Sequence, residues 1–109
     1  QVIHGQVMDV IVDLRKESKT FKKHEKIILN GKDKNMILIP KGCAHGFLSM
    51  EENTIFSYKC SKYYNKESEV TILWNDPDLG INWEEENPIV SKKDQNGLSL
   101  KDVINKKYI

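Results

Sequence analysis

The sharpest candidate for acid–base chemistry in this chain is the segment Ile39–Phe47, with the sequence IPKGCAHGF. Proline cannot donate to a sheet ladder and glycine tolerates a positive φ, so Pro40-x-Gly42 predicts a tight turn between two strands. His45 then begins the next strand. An imidazole that faces a concave interior has a pKa that burial or neighbouring charges can move. From the residues alone, His45 is either a pocket histidine or a hydrogen-bonded core histidine.

The same spacing, Pro40-x-Gly42-x-x-His45, resembles the second sequence motif of cupins, in which the histidine is often a metal ligand. In those proteins the other ligands come from an upstream His-x-His pair and a carboxylate. Here His4 and His24 stand alone in different predicted strands. Because one imidazole does not bind a metal ion with useful affinity, we expect no metal site.

The second candidate segment is Phe56–Tyr64, with the sequence FSYKCSKYY. Tyr58 alternates onto the same strand face as Phe56, so the pattern predicts that it points inward. A phenol that faces a cavity can return a proton to a carbanion, although most inward tyrosines only pack in the core. Tyr63 and Tyr64 lie at the predicted end of the strand, where one of them could stack on a nucleobase.

The third candidate segment contains Lys92, Lys93 and Asp94. Several lysine pairs are scattered along the chain, and this one is the best placed to contact an anionic substrate. The simpler interpretation is a solvated surface. On spacing alone, an aspartate just before Asn96-Gly97 is a turn residue or a helix cap.

Alternating apolar residues and turn signals predict an all-β protein built as an antiparallel sandwich or barrel. The six predicted strands are Val7–Leu14, Phe21–Leu29, Met36–Ile39, His45–Met50, Thr54–Tyr64 and Val70–Trp74. Gly5 suits a turn between paired strands, and Asn30-Gly31 is a hairpin signal. Residues 78–94 read as a long ordered loop. Ser99 is predicted to cap a C-terminal helix whose apolar residues share one face: Leu100, Val103, Ile104 and Tyr108.

Composition limits the class of protein. The chain has 109 residues, which fits one domain, residues 1–109, and its 17 Lys and Arg residues nearly balance 16 Asp and Glu residues. We therefore expect neither a nucleic-acid partner nor a membrane partner, since no apolar run reaches the length of a membrane span. Cys43 and Cys60 are too few for a disulfide framework. With no visible signal peptide, these features predict a cytoplasmic protein.

Five segments, taken together and in order, carry a family resemblance. They are GQVMDVIVDLRK (Gly5–Lys16, followed by Ser18 and Thr20-Phe21), IPKGCAHGF, YKCSKYY (Tyr58–Tyr64), ILWNDPDLGINW (Ile72–Trp83) and SKKD (Ser91–Asp94). Over nearly its whole length the chain resembles the nucleotide-sugar 3,5-epimerases, of which dTDP-4-dehydrorhamnose 3,5-epimerase is the type. The resemblance implies a double-stranded β-helix, that is, a cupin-like jelly-roll barrel with a short C-terminal helix, in a homodimer.

The resemblance also implies a reaction, the base-catalysed epimerisation of dTDP-4-keto-6-deoxyglucose at C3 and C5. No cofactor is expected, because the sugar's own ketone accepts the electrons of the broken C–H bond. By motif, Tyr58 matches the proton-donating tyrosine and Asp94 matches the aspartate that orients the base. His45 matches a pocket histidine, and Tyr64 and Lys93 are the further candidates for binding substrate.

One departure from the family pattern matters. The family's base is a histidine in an arginine-glycine-leucine-histidine segment upstream of the Gly5 strand, and a substrate-contacting lysine follows it. Only four residues precede Gly5 here. We therefore expect an N-terminally incomplete domain that is inactive alone and exposes unpaired sheet edges. The alternatives are a non-catalytic cupin that binds nucleotide sugars and a sister 3-epimerase, 5-epimerase or ketoisomerase.

Overall fold

The computed structural model describes residues 1–109, which divide into two compact units, Gln1–Tyr63 and Tyr64–Ile109. The first unit holds all five strands: β1 (Val2–His4), β2 (Gln6–Asp13), β3 (His24–Asn30), β4 (Cys43–Ser49) and β5 (Ile55–Phe56). Strands β3, β2 and β4 form an antiparallel sheet with β2 in the centre, and β1 pairs with β5. The predicted extent of a single domain, residues 1–109, stays a prediction.

Strand β2 organises the first unit because both of its faces are buried. Val7 and Asp9 lie on one face and Met8 and Val10 on the other, and all four are at most 1% exposed. This is the expected environment of a central strand. A carboxylate in such a strand is unusual, since charged side chains are almost never fully buried without a partner.

The hydrophobic core of the first unit lies on the β2 face that carries Val7. Val2, Val7 and Leu29 are buried there, with three partly buried side chains against them: Ile27, Ile37 and Phe56. Burial of each such aliphatic side chain stabilises the fold by about 1.5–3 kcal/mol. This core fixes the three-stranded sheet that presents the face with Asp9 and His45.

Two turn predictions fail because the strands pair differently from what sequence order suggests. Gly5 does make a turn, with φ +88°, but β1 and β2 on either side of it pair with other strands. Asn30-Gly31 ends β3 without forming a hairpin, since β3 pairs back onto β2. There the Asn30 side chain accepts from the backbone N–H groups of Lys32 and Asp33.

Several predicted strands are shorter in the structure or missing. The strand predicted to begin at Phe21 begins at His24, and within Thr54–Tyr64 only Ile55–Phe56 forms a strand. Met36–Ile39 has no regular secondary structure and belongs to no sheet. Val70–Trp74 contributes one isolated bridge, between Ile72 and Leu98. At Phe21 the chain is still in a turn, with Lys22 at φ +69°. The other segments lack a neighbouring strand over most of their length, and a ladder requires one.

The second unit contains a single-turn 3₁₀-helix (Lys66–Ser68) and the helices α1 (Lys92–Gln95) and α2 (Leu100–Asn105). The predicted N-cap of the last helix is confirmed, because Ser99 Oγ accepts a hydrogen bond from the N–H of Asp102. Leu100 and Val103 are buried as predicted, whereas Tyr108 lies beyond the helix and is exposed. Neither helix has the length and apolar character that crossing a membrane requires.

Two side chains tie the loops of the second unit together. Asp76 is buried, and its carboxylate accepts hydrogen bonds of 2.8 Å from the N–H groups of Asp78 and Leu100. Trp83 Nε1 donates to the carbonyl of Trp74 at 2.7 Å. The long loop predicted for residues 78–94 is present, although its last residues enter α1.

Candidate functional site

The most unusual pair of side chains in the first unit is His45 with Asp9. His45 Nε2 lies 2.5 Å from Asp9 Oδ1. The Asp9 side chain is completely buried, while that of His45 is 27% exposed. The imidazole therefore has one edge against an interior carboxylate and another that solvent or a ligand can reach.

The β-sheet explains how the two side chains meet. Asp9 stands opposite Phe47 in the β2–β4 ladder, and Ile11 stands opposite His45. Residues two apart on a strand share a face, so Asp9 and His45 are diagonal neighbours on the same face of the sheet. A one-residue shift of β4 would move His45 to the opposite face.

Asp9 has no better partner than this imidazole. Neither of its carboxylate oxygens accepts a well-aligned hydrogen bond, and both are buried. Because a buried carboxylate is costly unless it has a partner, Asp9 depends on the imidazole. The pair is therefore suited to hold the histidine in one orientation.

A row of aromatic rings continues from His45. The ring centroids of Phe47 and Phe56 are 4.7 Å apart, and His45 lies 6.0 Å from Phe56. Tyr58 lies 6.0 Å from Phe56 on its other side. These distances are within the range of favourable aromatic contacts. The row connects the imidazole to the phenol that the sequence singled out.

The prediction that Tyr58 points inward is wrong for this structure, because the residue is 70% exposed. The sheet ends just before it. Strand β5 stops at Phe56, and the last backbone hydrogen bonds join Ser57 to Gln1, at 2.8 and 3.0 Å. With no strand beside it, Tyr58 keeps its ring contact with Phe56, and its hydroxyl makes no hydrogen bond within the chain.

In the second unit, Tyr64 and Lys93 are brought together by a residue that the sequence analysis missed. Tyr64 Oη donates to Glu69 Oε2 at 3.2 Å, and Lys93 Nζ donates to Glu69 Oε1. Asn65 caps the 3₁₀-helix before Glu69, and Ser91 caps the helix that carries Lys93. The Tyr64–Glu69–Lys93 cluster is therefore held by two short capped turns.

Within this cluster, each group shifts the pKa of the group that it contacts. The hydrogen bond to Glu69 raises the pKa of Tyr64, because ionisation would place a phenolate beside a carboxylate. The hydrogen bond from Lys93 lowers the pKa of Glu69 and in turn raises the pKa of Lys93. Tyr64 is 77% exposed, so its ring stays free to stack against a ligand.

Asp94 follows Lys93 in the first turn of α1. Its backbone N–H donates to Ser91 Oγ at 3.2 Å, so the residue completes the cap of this helix, as the spacing alone suggested. Its carboxylate makes no hydrogen bond within the chain. It contributes negative charge that helps to raise the pKa of Lys93.

Comparison with known proteins places these residues in a family. The sequence model for dTDP-4-dehydrorhamnose 3,5-epimerase matches residues 1–102. The chain belongs to the dTDP-4-dehydrorhamnose 3,5-epimerase family. The family member from Methanothermobacter thermautotrophicus is 40% identical over 105 residues, which cover 94% of this chain and 57% of the relative.

Solved structures of the family agree with the fold. The rmlC epimerase of Mycobacterium tuberculosis superposes with a TM-score of 0.95 at 34% identity, covering all of this chain and 56% of that one. The enzyme from Legionella pneumophila, solved with dTDP-4-keto-L-rhamnose, gives a TM-score of 0.92 at 40% identity and covers 100% and 58%. The predicted all-β fold of this epimerase family is confirmed, and the chain spans little more than half the length of these relatives.

The roles of the five candidate residues of this family member stay predictions. Within the first unit, His45 and Tyr58 lie along one row of rings. Within the second, Tyr64 and Lys93 share Glu69, and Asp94 follows in α1. No three His, Cys, Asp or Glu side chains are grouped as a metal site would need.

Two partners, Asp9 and Glu69, were not found from the sequence. For Asp9 a signal existed, namely a carboxylate between the apolar residues Val7 and Ile11 on one strand face. For Glu69 none did, since it lies in a polar stretch without periodicity.

Proposed function

We propose that this chain forms part of an epimerase that acts on dTDP-4-keto-6-deoxyglucose at C3 and C5, in the biosynthesis of dTDP-rhamnose-type sugars. Membership of the family and the dTDP-4-keto-L-rhamnose complex of the Legionella relative support the substrate class. The observation that carries the proposal is the half-buried His45, backed by the buried Asp9 and continued by aromatic rings to Tyr58.

The proposed reaction moves one proton at each epimerised carbon. A base removes the proton from the carbon beside the ketone, and the electrons of that C–H bond form an enolate. Tyr58 donates its phenolic proton to the opposite face of the same carbon, and the enolate becomes a ketone again. The Tyr58 phenolate then regains a proton and the protonated base loses one, both by exchange with water, so no net proton is consumed. Proton transfer by a positioned phenol is ordinary general acid catalysis.

His45 is assigned to binding the sugar. Its exposed edge can donate a hydrogen bond to the ketone oxygen, where negative charge develops in the enolate, and Asp9 behind it holds the ring in place. A preorganised donor at a developing oxyanion is typically a large term in catalysis. Asp94 is assigned to orienting the base, by its match to the family motif. We propose the complete epimerase activity for the whole protein. This chain spans little more than half the length of its relatives.

Tyr64 and Lys93 are assigned to the nucleotide. The exposed ring of Tyr64 offers a stacking surface for the base, and the Lys93 ammonium can contact the diphosphate. Stacking of a base on an aromatic side chain contributes about 1–3 kcal/mol. The predicted homodimer and cytoplasmic location also remain proposals, and light scattering of the purified protein tests the first of them.

Titration of this chain with dTDP tests the binding part of the proposal. Tyr64→Ala is expected to weaken binding by about 10-fold or more, the loss of one stacked base. Tyr63→Ala is the matched control, since Tyr63 is adjacent, fully exposed and without a hydrogen bond. Equal losses in the two variants would contradict the assignment of Tyr64.

Hydrogen exchange in heavy water tests the catalytic part. This chain, joined to the arginine-glycine-leucine-histidine segment of its family, is mixed with dTDP-4-keto-6-deoxyglucose, and deuterium is followed at C3 and C5. Tyr58→Phe is expected to block turnover while some exchange continues, because only reprotonation is lost. Full turnover would remove Tyr58 from the mechanism. Nucleotide binding without any exchange would instead identify a non-catalytic nucleotide-sugar-binding protein.

A further inference from the structure

A third polar network lies at the end of β2, around Asp13. The Asp13 carboxylate accepts hydrogen bonds from Arg15 Nε at 2.9 Å and from Arg15 Nη2 at 3.1 Å, a two-pronged ion pair. It also accepts from the hydroxyls of Ser18 and Thr20, at 2.6 and 2.5 Å. A carboxylate with this many donors is rigidly held, and it in turn fixes the guanidinium that it binds.

The pKa of Asp13 and the burial of its side chain agree with this hydrogen-bond geometry. The hydrogen bonds from Arg15, Ser18 and Thr20 hold the pKa of Asp13 far below its usual range. Although the Arg15 side chain is 48% exposed, the Asp13 side chain is only 8% exposed. The charged end of Arg15 is therefore anchored on one side by a nearly buried partner.

The stem of Arg15 lies directly on Gly42. Gly42 has φ +92°, and a Cβ atom built there would lie 2.7 Å from Arg15 Cγ, closer than real Cβ contacts occur. Next to it, the N–H of Leu14 donates to the carbonyl of Gly42 at 3.2 Å, and Asp13 pairs with Cys43 in the ladder. The Arg15 side chain thus packs against the turn that precedes β4.

We propose that Arg15 is a positioning residue for His45. Arg15 is held by its ion pair with Asp13 and packs against Gly42, three residues before His45. This contact sets the register in which β4 pairs with β2. Asp9 and Asp13 lie on the same face of β2, so one carboxylate anchors the start of β4 and the other contacts the imidazole further along. The inference rests on the proposed function in one respect, that His45 contacts the sugar.

Nuclear magnetic resonance of the His45 ring in this chain tests the inference without any ligand. Arg15→Met keeps an aliphatic stem but removes the charge, and Arg15→Lys keeps the charge but loses the fork. We expect the Arg15→Met variant to displace the His45 ring signals and weaken their cross-relaxation with Phe56. Arg15→Lys should displace them partly, and Lys19→Met, an exposed change in the same turn, should leave them in place.

The signals of His4 and His24 serve as internal controls, because general loosening of the sheet would move all three histidines together. If Arg15→Met fails to fold, Arg15→Lys decides. Native His45 signals in Arg15→Lys, or equal displacement of all three histidines in a folded variant, would overturn the proposal. Failure of the native chain to bind dTDP would count against the proposed function alone, since the ring signals are measured without nucleotide.

Discussion

Both candidate clusters are built around a carboxylate, but one carboxylate is buried and the other is partly exposed. In the first unit a completely buried carboxylate meets one imidazole, without a well-aligned hydrogen bond. In the second, Glu69 is partly exposed and receives two hydrogen bonds, from Tyr64 and Lys93. The first carboxylate depends on a single partner, whereas the second has both partners and water.

Because of this difference, breaking the buried pair and breaking the exposed pair should change the stability of the protein by different amounts. Breaking a buried pair leaves a charge that cannot reach water, so the cost is large. Breaking an exposed pair returns both groups to solvent and costs little. We therefore expect variants of the first cluster to test folding and binding together, whereas variants of the second test binding almost alone.

The largest effect is expected for His45→Ala. It leaves the Asp9 carboxylate buried and unpaired, so the free energy of unfolding should fall by about 3 kcal/mol, the lower end of the range for broken buried pairs, since His45 is partly exposed. Urea unfolding measures the change, with His24→Ala on β3, the other edge strand of the same sheet, as control. If both variants lose the same stability, the buried pair is not an energetic unit.

Removing both partners sharpens the same comparison. The double variant Asp9→Leu with His45→Leu should recover most of the stability that His45→Ala loses, because apolar side chains of similar volume replace buried charges without penalty. Urea unfolding of Asp9→Leu, His45→Leu and the double variant gives the coupling free energy between the two residues. A double variant less stable than His45→Ala would show that the apolar pair does not fit this part of the sheet.

The next effect tests burial within the second unit. Asp76 is a buried carboxylate with two good donors, one of them the first N–H of α2. Asp76→Ala should cost about 1–2 kcal/mol, the usual loss for a helix cap, and Asp76→Asn should cost less because one acceptor remains. Thermal unfolding measures both. Equal losses would mean that the shape of the side chain, rather than its oxygens, is what matters.

A smaller effect appears in acid. Because hydrogen bonds depress the folded pKa of Asp13, its stabilising contribution is fully present above the unfolded value of about 3.9 and is lost as the pH falls toward the folded pKa. Urea midpoints measured from pH 5 down to pH 2 should decline, and Asp13→Asn should flatten that decline. An unchanged slope would show that other carboxyl groups dominate acid unfolding.

The smallest structural effect is expected for Glu69→Gln. Its stability should match the native chain, while the pKa of Tyr64 falls toward the ordinary tyrosine value because the neighbouring negative charge is gone. The ring signals of Tyr64 followed against pH measure this, with those of Tyr108 as an internal control. An unmoved Tyr64 pKa would mean that the hydrogen bond to Glu69 is not formed in solution.

Local chemistry predicted local structure well. The alternation of β2, the turn at Pro40-x-Gly42 and the Ser99 cap depend on neighbouring residues only, and all three are found. Predictions that needed a second strand failed, as at Met36–Ile39 and Thr54–Tyr64. Alternation shows that a segment can be a strand, but only another segment at hydrogen-bonding distance makes it one.

The candidate site residues also fall into two groups: those that a local motif predicts, and those that only the folded structure brings together. His45 and Tyr58 could be selected because their motifs are local and resemble a family. Asp9 could not be paired with His45 until the register of β2 and β4 was known, because a shift of one residue would separate them. Glu69 meets Lys93 across 24 residues of chain. No sequence pattern specifies that distance.

The unpaired segment Met36–Ile39 has a consequence for how this protein behaves in solution. Its backbone N–H groups have no acceptor within the chain, and Met36 and Leu38 are largely exposed. Unprotected amides exchange their hydrogens with water quickly even while the rest of the sheet stays closed. Deuterium uptake should therefore be faster here than in the strands of the first unit, and a protease should cut here before it cuts β2.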